Sequence, residues 1–578
     1  MPVRAGLAFA VMAAILARSW GLDYGLPYSF YPDESDKVME PIRAIAASGD
    51  LRPNHYLYPT FWLYCLALAL RLAAGLGPPT ADLGPLESPT YVYGTIRAVT
   101  AVVGALSVIP LFLVARRILT VFGSPQAHLC ALVAAGFLAL SPLHVQQSHV
   151  ASPDVPTTAF LILALYFALR IVDDGRTRWY LLAGLATGLA SGAKYPSATF
   201  ALAIVTAHLT RTSRFEAGAR QPLQLDPTRN PLPQAWGREQ VRFAGRGGGG
   251  VSALVDRRLW LAGLATIASF LATSPFIVLD WPRFRADFAS QASRVLSRGP
   301  VGDLGSSGPL APILYVPDVL GWGLDLPVAV LAALGLGWVA WTVTRLAWVH
   351  RPEARPARYA AVLLVYPLVA YVFSWSWQDR FARYVVPLVP FACILAGLGL
   401  AWLMRALARR SIAAEHVTAI GMAVGVAALL WQADGVVRFD VLLTHPDTRT
   451  IAAQWMAPNI PPDQPVLTEW YGPPHSNIRQ TGLELADRPL DRYRERGLRY
   501  VATSSFVYDR WLRNPERFPR RVAFYRSLDD EARLLLWVAP WPDFGYDPVQ
   551  EGWQGWHGIP LGSEARPGPH IRVYQLTE

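Results

Sequence analysis

The sequence predicts an α-helical polytopic membrane protein with a small α/β domain at its C-terminal end, and three observations carry that expectation. Apolar residues make up 52% of the 578 residues and charged residues only 16%, against roughly 25% charged in soluble domains. The apolar residues gather in eleven runs of about 17 to 25 residues, long enough to cross a bilayer. The basic excess, 52 Lys+Arg against 42 Asp+Glu, is mostly Arg in short clusters between those runs, which is the pattern of cytoplasmic loops and not of a nucleic-acid surface.

The first run, about 5–22, has no small-residue cleavage site after it, so it is expected to stay as a span. Further spans are expected near 93–115, 125–142, 156–172, 179–194, 196–211, 259–279, 320–344, 359–376, 384–404 and 417–435. The run near 57–76 carries Arg71 and several tyrosines. Counting it as a span would move nearly every arginine cluster outside, including Arg116 and Arg117, Arg345, Arg405 and Arg409. The positive-inside rule therefore lays it along the outer leaflet. That topology places the N-terminus in the cytoplasm and residues 437–578 outside, in a multi-pass protein of the plasma (inner) membrane whose membrane domain is 1–436. The Gly-, Pro- and Arg-rich stretch 212–257 cannot build a core and reads as a flexible cytoplasmic linker. In the tail, TRTIAAQWMAPNI has helical spacing, whereas QPVLTEW, LRYVATSSF, ARLLLWVA and HIRVYQL read as strands. Cys65, Cys130 and Cys393 all fall in apolar stretches, where a thiol acts as a small hydrophobe, so neither a disulfide nor a cysteine metal site is expected.

With this topology the polar residues collect on the outer face. Asp33 and Glu34 lie in YPDES, in the external loop that follows the first run. His144, Gln146, Gln147, His149 and Asp154 lie in SPLHVQQSHVASPDVP. Lys194 and Tyr195 occupy the tip SGAKYPS, Asp280, Arg283 and Arg285 follow a later span, and WSWQDRFARYVVPLVP brings Asp379, Arg380, Arg383 and Tyr384. Ionisable groups at membrane depth are costly and usually functional. Each has a plain alternative: solvated loop carboxylates, interfacial histidines bonded to backbone, arginines snorkelling from span ends. The five-residue spacing of His144 and His149 matches no recognised ligand pattern, so a divalent cation stays an open alternative and no cofactor is assigned. A lone lysine beside a small-residue hairpin suits a phosphate. External cations near the membrane plane can hold the phosphate of a lipid-borne sugar and stabilise the charge that builds on it as the glycosidic bond breaks. A carboxylate can meanwhile deprotonate an acceptor hydroxyl, and one such displacement inverts the anomeric carbon.

Taken together and in this order, YPDES, GDLRPNHYLYPTFWLY, HVQQSHVASPDVP, AGLATGLASGAKYP and RFARYVVPLVP resemble the bacterial phospholipid-carrier-dependent glycosyltransferases. These are C-type membrane enzymes related to protein O-mannosyltransferases and to the lipid A aminoarabinose transferase. The resemblance implies a C-type fold with about eleven transmembrane helices, a polyprenyl-phosphate sugar as donor, and a glycan, lipid or protein as acceptor. It implies Asp33 as general base, Glu34 and Asp154 at the active centre, and Lys194 with Arg380 or Arg383 on the donor phosphate. Tyr58, His149, Tyr195 and Tyr384 complete the expected substrate-binding set. Two other classes compete. A secondary transporter should show related halves and midplane polar sites, and a lipid-binding scaffold would leave the outer Asp, Lys and Arg set without a joint purpose.

Overall fold

The computed structural model describes residues 2–53, 55–75, 84–219, 254–297, 309–349, 351, 354–377, 380–410, 412–475, 477–482, 485–513, 515–541, 556–562 and 564–577. Most of the expected linker and Asp379 lie outside the described residues.

Every one of the eleven apolar runs forms helix. Six of these helices are long and apolar enough to cross a membrane, or seven if Ala127–Ala139 and Pro142–Ser148, bent by 50°, are one broken span. Thr177–Ala193 and Arg257–Thr273 are 17 residues each, about 26 Å at 1.5 Å per residue, a little short of the hydrocarbon core. Phe61–Ala73 has only 13 residues, far too few to span. It packs instead on Glu40–Ser48, Pro89–Leu106 and Thr177–Ala193. The expected span 320–344 starts later, because the chain breaks between helices Ala311–Gly323 and Leu326–Trp348 at Asp325, whose φ of 65° is left-handed.

The bundle is held by close helix approach. A Cβ on Gly335 would strike the Leu395 carbonyl, and one on Gly399 the Leu331 carbonyl. Leu326–Trp348 and Val389–Ala408 therefore meet backbone to backbone, as small residues permit between membrane helices. One continuous apolar core runs through the bundle, and a second sits among the helices of the first loop and Pro89–Leu106.

The bundle is polar at both ends. Helix Asp154–Asp174 carries Asp154 at its start and Asp173 at its finish, about 30 Å apart. Asp173 gathers Arg117 and Arg355, so arginines from separate helices converge at one end. Asp154 belongs to a different cluster at the other.

After helices Ala414–Leu443 and Thr448–Asn459, the tail folds into a five-stranded sheet. Its strands are β1 (Val466–Glu469), β2 (Ile478–Gly482), β3 (Tyr500–Ser504), β4 (Ala532–Val538) and β5 (Ile571–Leu576), in the order β2-β1-β3-β5-β4. The pairs β1–β2 and β1–β3 are parallel, whereas β3–β5 and β4–β5 are antiparallel. The four strands expected from sequence are all present, and β2 is an addition.

The tail is tied to the first loop. Tyr24 donates to Asp447 at 2.6 Å, Arg449 bonds both Asp447 oxygens at 2.8 Å, and the Arg449 guanidinium lies 4.0 Å from the Phe30 ring centroid. All four residues are buried. Beside them Trp556 stacks on Phe439 at 4.2 Å. Gly21, with φ of 79°, lets the chain leaving the first helix pass against Leu443 where a side chain would collide.

Candidate active site

The stretch YPDES folds as a short helix, Pro32–Glu34, that runs into a π-helical turn, Ser35–Met39, and then into Glu40–Ser48. Such π-turns are often found at functional sites. The i,i+4 relation puts Lys37 on Asp33 at 2.6 Å. Tyr58 donates to the other Asp33 oxygen at 2.9 Å, and Arg383 reaches that oxygen at 3.1 Å. Burial pushes the Asp33 carboxyl up, but Arg383 and Lys37, helped by the Tyr58 hydroxyl, more than offset it and hold the group well below the usual carboxylate range. Asp33 is therefore an anion clamped between two cations.

The second cation centre adjoins it. Asp154 opens its helix, where a carboxylate is favoured by the exposed N–H groups and the helix dipole, and it pairs with Lys194 at the C-terminal end of Thr177–Ala193. Ser152 donates to its remaining oxygen at 2.7 Å. Lys194 lies 5.0 Å from the Tyr384 ring centroid and Arg383 lies 5.4 Å from the same centroid. Tyr384 thus links the Lys194–Asp154 pair to the Arg383–Asp33 pair. Arg383 also stacks over Phe381 at 4.1 Å.

The neighbouring carboxylate takes a different part. Glu34 is fully buried and accepts three bonds from Arg97, at 2.7, 3.0 and 3.2 Å, one from Ser29 at 2.6 Å and one from the Ala151 N–H at 2.9 Å. Arg97 spends its remaining nitrogen on the Leu22 and Tyr24 carbonyls. Glu34 thereby joins the first loop, the helix Pro89–Leu106 and the second loop, and its position fixes that of Asp33 one residue away.

Two expected residues, His149 and Tyr195, make their contacts outside the Asp33 cluster. His149 sets its ring nitrogens against the Val145 and Trp20 carbonyls at 3.0 and 2.9 Å, with Asp440 at 3.4 Å. Tyr195 donates to the Tyr56 carbonyl at 3.0 Å and packs on Phe284 and Phe288. Asp280 and Asp287 accept from Tyr56, so this group braces the first loop. Arg380 keeps its Nε buried with no hydrogen-bond partner among the described residues.

Sequence reasoning passed over Lys37, Tyr31, Arg97 and Arg18. Lys37 carried an i,i+4 signal to Asp33. Arg18 and Arg97 carried the stronger one of an arginine inside an expected span. Arg18 is buried and bonds Ser148, His144 and three carbonyls. Tyr31 is buried, with Arg383 5.9 Å from its ring, and its hydroxyl has no hydrogen-bond partner among the described residues. Among the described residues no three His, Cys, Asp or Glu side chains converge as a metal centre would require.

Residues 94–217, which include Arg97, Asp154 and Lys194, match the family model described as dolichyl-phosphate-mannose-protein mannosyltransferase. An archaeal oligosaccharyltransferase, AglB from Archaeoglobus fulgidus, solved with an inhibitory peptide and a dolichol-phosphate, aligns over 93% of this chain and 73% of its own, with a TM-score of 0.50 and 12% identity. The helical bundle shares the fold of that oligosaccharyltransferase, and its matched segment is similar to the mannosyltransferase family. ArnT from Cupriavidus metallidurans bound to undecaprenyl phosphate aligns over 99% of this chain and 97% of its own, with a TM-score of 0.48 and 15% identity. A comparison with curated proteins finds no match. The family match ends before Arg383, so the pairing of Arg383 with Asp33 is an observation of the structure alone.

Proposed function

We propose that the protein is an integral membrane glycosyltransferase that moves a sugar from a polyprenyl-phosphate donor to an acceptor hydroxyl on the extracytoplasmic face, with inversion. The observation that carries this reading is the Tyr384 ring set beside two cations, Arg383 paired with Asp33 and Lys194 paired with Asp154. A transfer of this kind needs one base and one anion site. In the reaction, the acceptor oxygen attacks the anomeric carbon and gives its proton to Asp33. The bond from that carbon to the donor phosphate oxygen breaks, and Arg383 and Lys194 take up the charge left on the phosphate.

The ion pairs give the site an order of events. Before the donor arrives, Arg383 neutralises Asp33 and Lys194 neutralises Asp154. A donor phosphate competes for both cations. As Arg383 turns to the phosphate, the Asp33 carboxylate loses a counter-charge and becomes a stronger base. Lys37 and Tyr58 keep it oriented, and the free Tyr31 hydroxyl supplies a hydrogen bond for the sugar. The family match and the oligosaccharyltransferase-like fold support lipid-linked chemistry in this bundle. In the same reading the chain spans the plasma membrane eleven times, with residues 437–578 as an extracytoplasmic domain beside the site.

The test is transfer of radiolabelled sugar from polyprenyl-phosphate donors to membrane extracts by the purified protein. Asp33→Asn is expected to lower kcat by at least about a hundredfold, the scale of lost general-base catalysis, while donor binding survives. Full activity in Asp33→Asn would overturn the base assignment.

A further inference from the structure

A second cationic site lies at the opposite end of the bundle. The stretch Ala382–Ala408 carries Arg383 at one end and Arg405 near the other, about 30 Å away. There a cavity of about 590 Å3 is walled by Arg345, Arg351, Arg405 and Arg409 and by the indoles of Trp338 and Trp341.

These arginines are built in differently from their neighbours. At the same end of the bundle Arg117 and Arg355 share Asp173, Arg170 meets Asp174 and Arg258 meets Asp256. Among the described residues no carboxylate pairs with any of the four cavity arginines. Arg405 is instead fixed by the Phe122 carbonyl at 3.0 Å and by the Trp338 ring, 5.5 Å from its guanidinium. Trp338 is in turn held edge-on by Phe122. Arg345 lies over Trp341 at 5.3 Å. Four like charges lining one cavity repel, and an anion among them relieves that repulsion.

We propose that this cavity holds an anionic phospholipid, its phosphate on the guanidiniums and an acyl chain along the tryptophan wall. Guanidinium forks match phosphate oxygens two by two, and basic pockets between transmembrane helices select acidic headgroups. The apolar part decides for a lipid over a free phosphate. Trp341 and Trp348 are exposed on the outer surface of the helix that carries Arg345, where a lipid tail covers them and a phosphate ion would not.

The test is native mass spectrometry of the full chain in detergent, titrated with phosphatidylglycerol and with phosphatidylcholine of the same acyl chains. Wild type is expected to retain one phosphatidylglycerol at least about tenfold more tightly than phosphatidylcholine. Arg345→Gln with Arg409→Gln should weaken that binding by about thirtyfold, the effect of two basic residues near a phosphate. Both side chains are exposed and make no ion pair among the described residues, so melting in phosphatidylcholine alone should not change. Equal retention of the two lipids, or an undiminished preference in the double variant, would overturn the proposal. Displacement of the lipid by millimolar inorganic phosphate would overturn it as well, leaving a site for the free ion.

Discussion

As the proposed base, Asp33 meets an ordinary difficulty, since a carboxylate paired with two cations stays ionised but abstracts protons weakly. Its depressed pKa means that its ion pairs contribute stability above the unfolded carboxyl's value of about 3.9 and lose it only as pH falls further. We therefore expect kcat/KM of the free enzyme to show no acid limb from Asp33 between pH 8 and 5, measurable in a pH–rate profile at low donor concentration. Tyr58→Phe removes one hydrogen bond to the charged carboxylate and should cost about tenfold in kcat/KM. Glu34→Gln is expected to act on folding instead. It leaves the Arg97 charge buried and uncompensated, a loss of about 3–5 kcal/mol, to be seen as a lowered Tm even without substrate. Asp33, Asp154, Lys194 and Arg383 were legible because each is a charge at the edge of an apolar run, where its cost advertises it. The ion pair that fixes Glu34 was not legible, because its partner Arg97 lies more than sixty positions away and hidden inside a run.

Among the elements, the tail sheet carries the clearest titration. Glu469 ends β1 fully buried, and burial raises its carboxyl to about 8 against the opposing effect of the Ser504 N–H at 2.7 Å and the Tyr525 hydroxyl. Native Glu469 keeps its proton while the unfolded chain has lost it, so stability falls as pH rises from about 4.5 to about 8. Glu469→Gln presents an amide with the same two partners and should flatten that fall, as thermal melts of the full chain at pH 5 and pH 8 would show. Four strands were visible as β-branched and apolar runs. β2, with the sequence IRQTG, was invisible because it is polar and lies at the sheet edge, where pairing with β1 does not demand an apolar face. The run 57–76 was placed by the charges around it, and its 13-residue helix agrees in length with a segment that does not cross. The break at Asp325 carried no local signal. Its left-handed backbone is accompanied by a contact to His557 at 3.2 Å, from a residue more than two hundred positions later.

For the molecule as a whole, the tail and the first loop form one unit through Tyr24, Phe30, Asp447 and Arg449. Asp447→Ala would leave the Arg449 guanidinium buried without its carboxylate. We expect the variant to melt lower and to be cleaved faster by protease near residue 445, with activity falling alongside, although Asp447 does not touch Asp33. The same junction has a consequence for how the protein is made. Tyr24 and Phe30 leave the ribosome among the first residues, but the partners that bury them are more than four hundred residues behind. The loop that holds the proposed base therefore stays unfinished through most of synthesis and settles only once Asp447 and Arg449 have been made. A nascent chain arrested before residue 447 would have a full first loop in sequence and an unfinished seat for it.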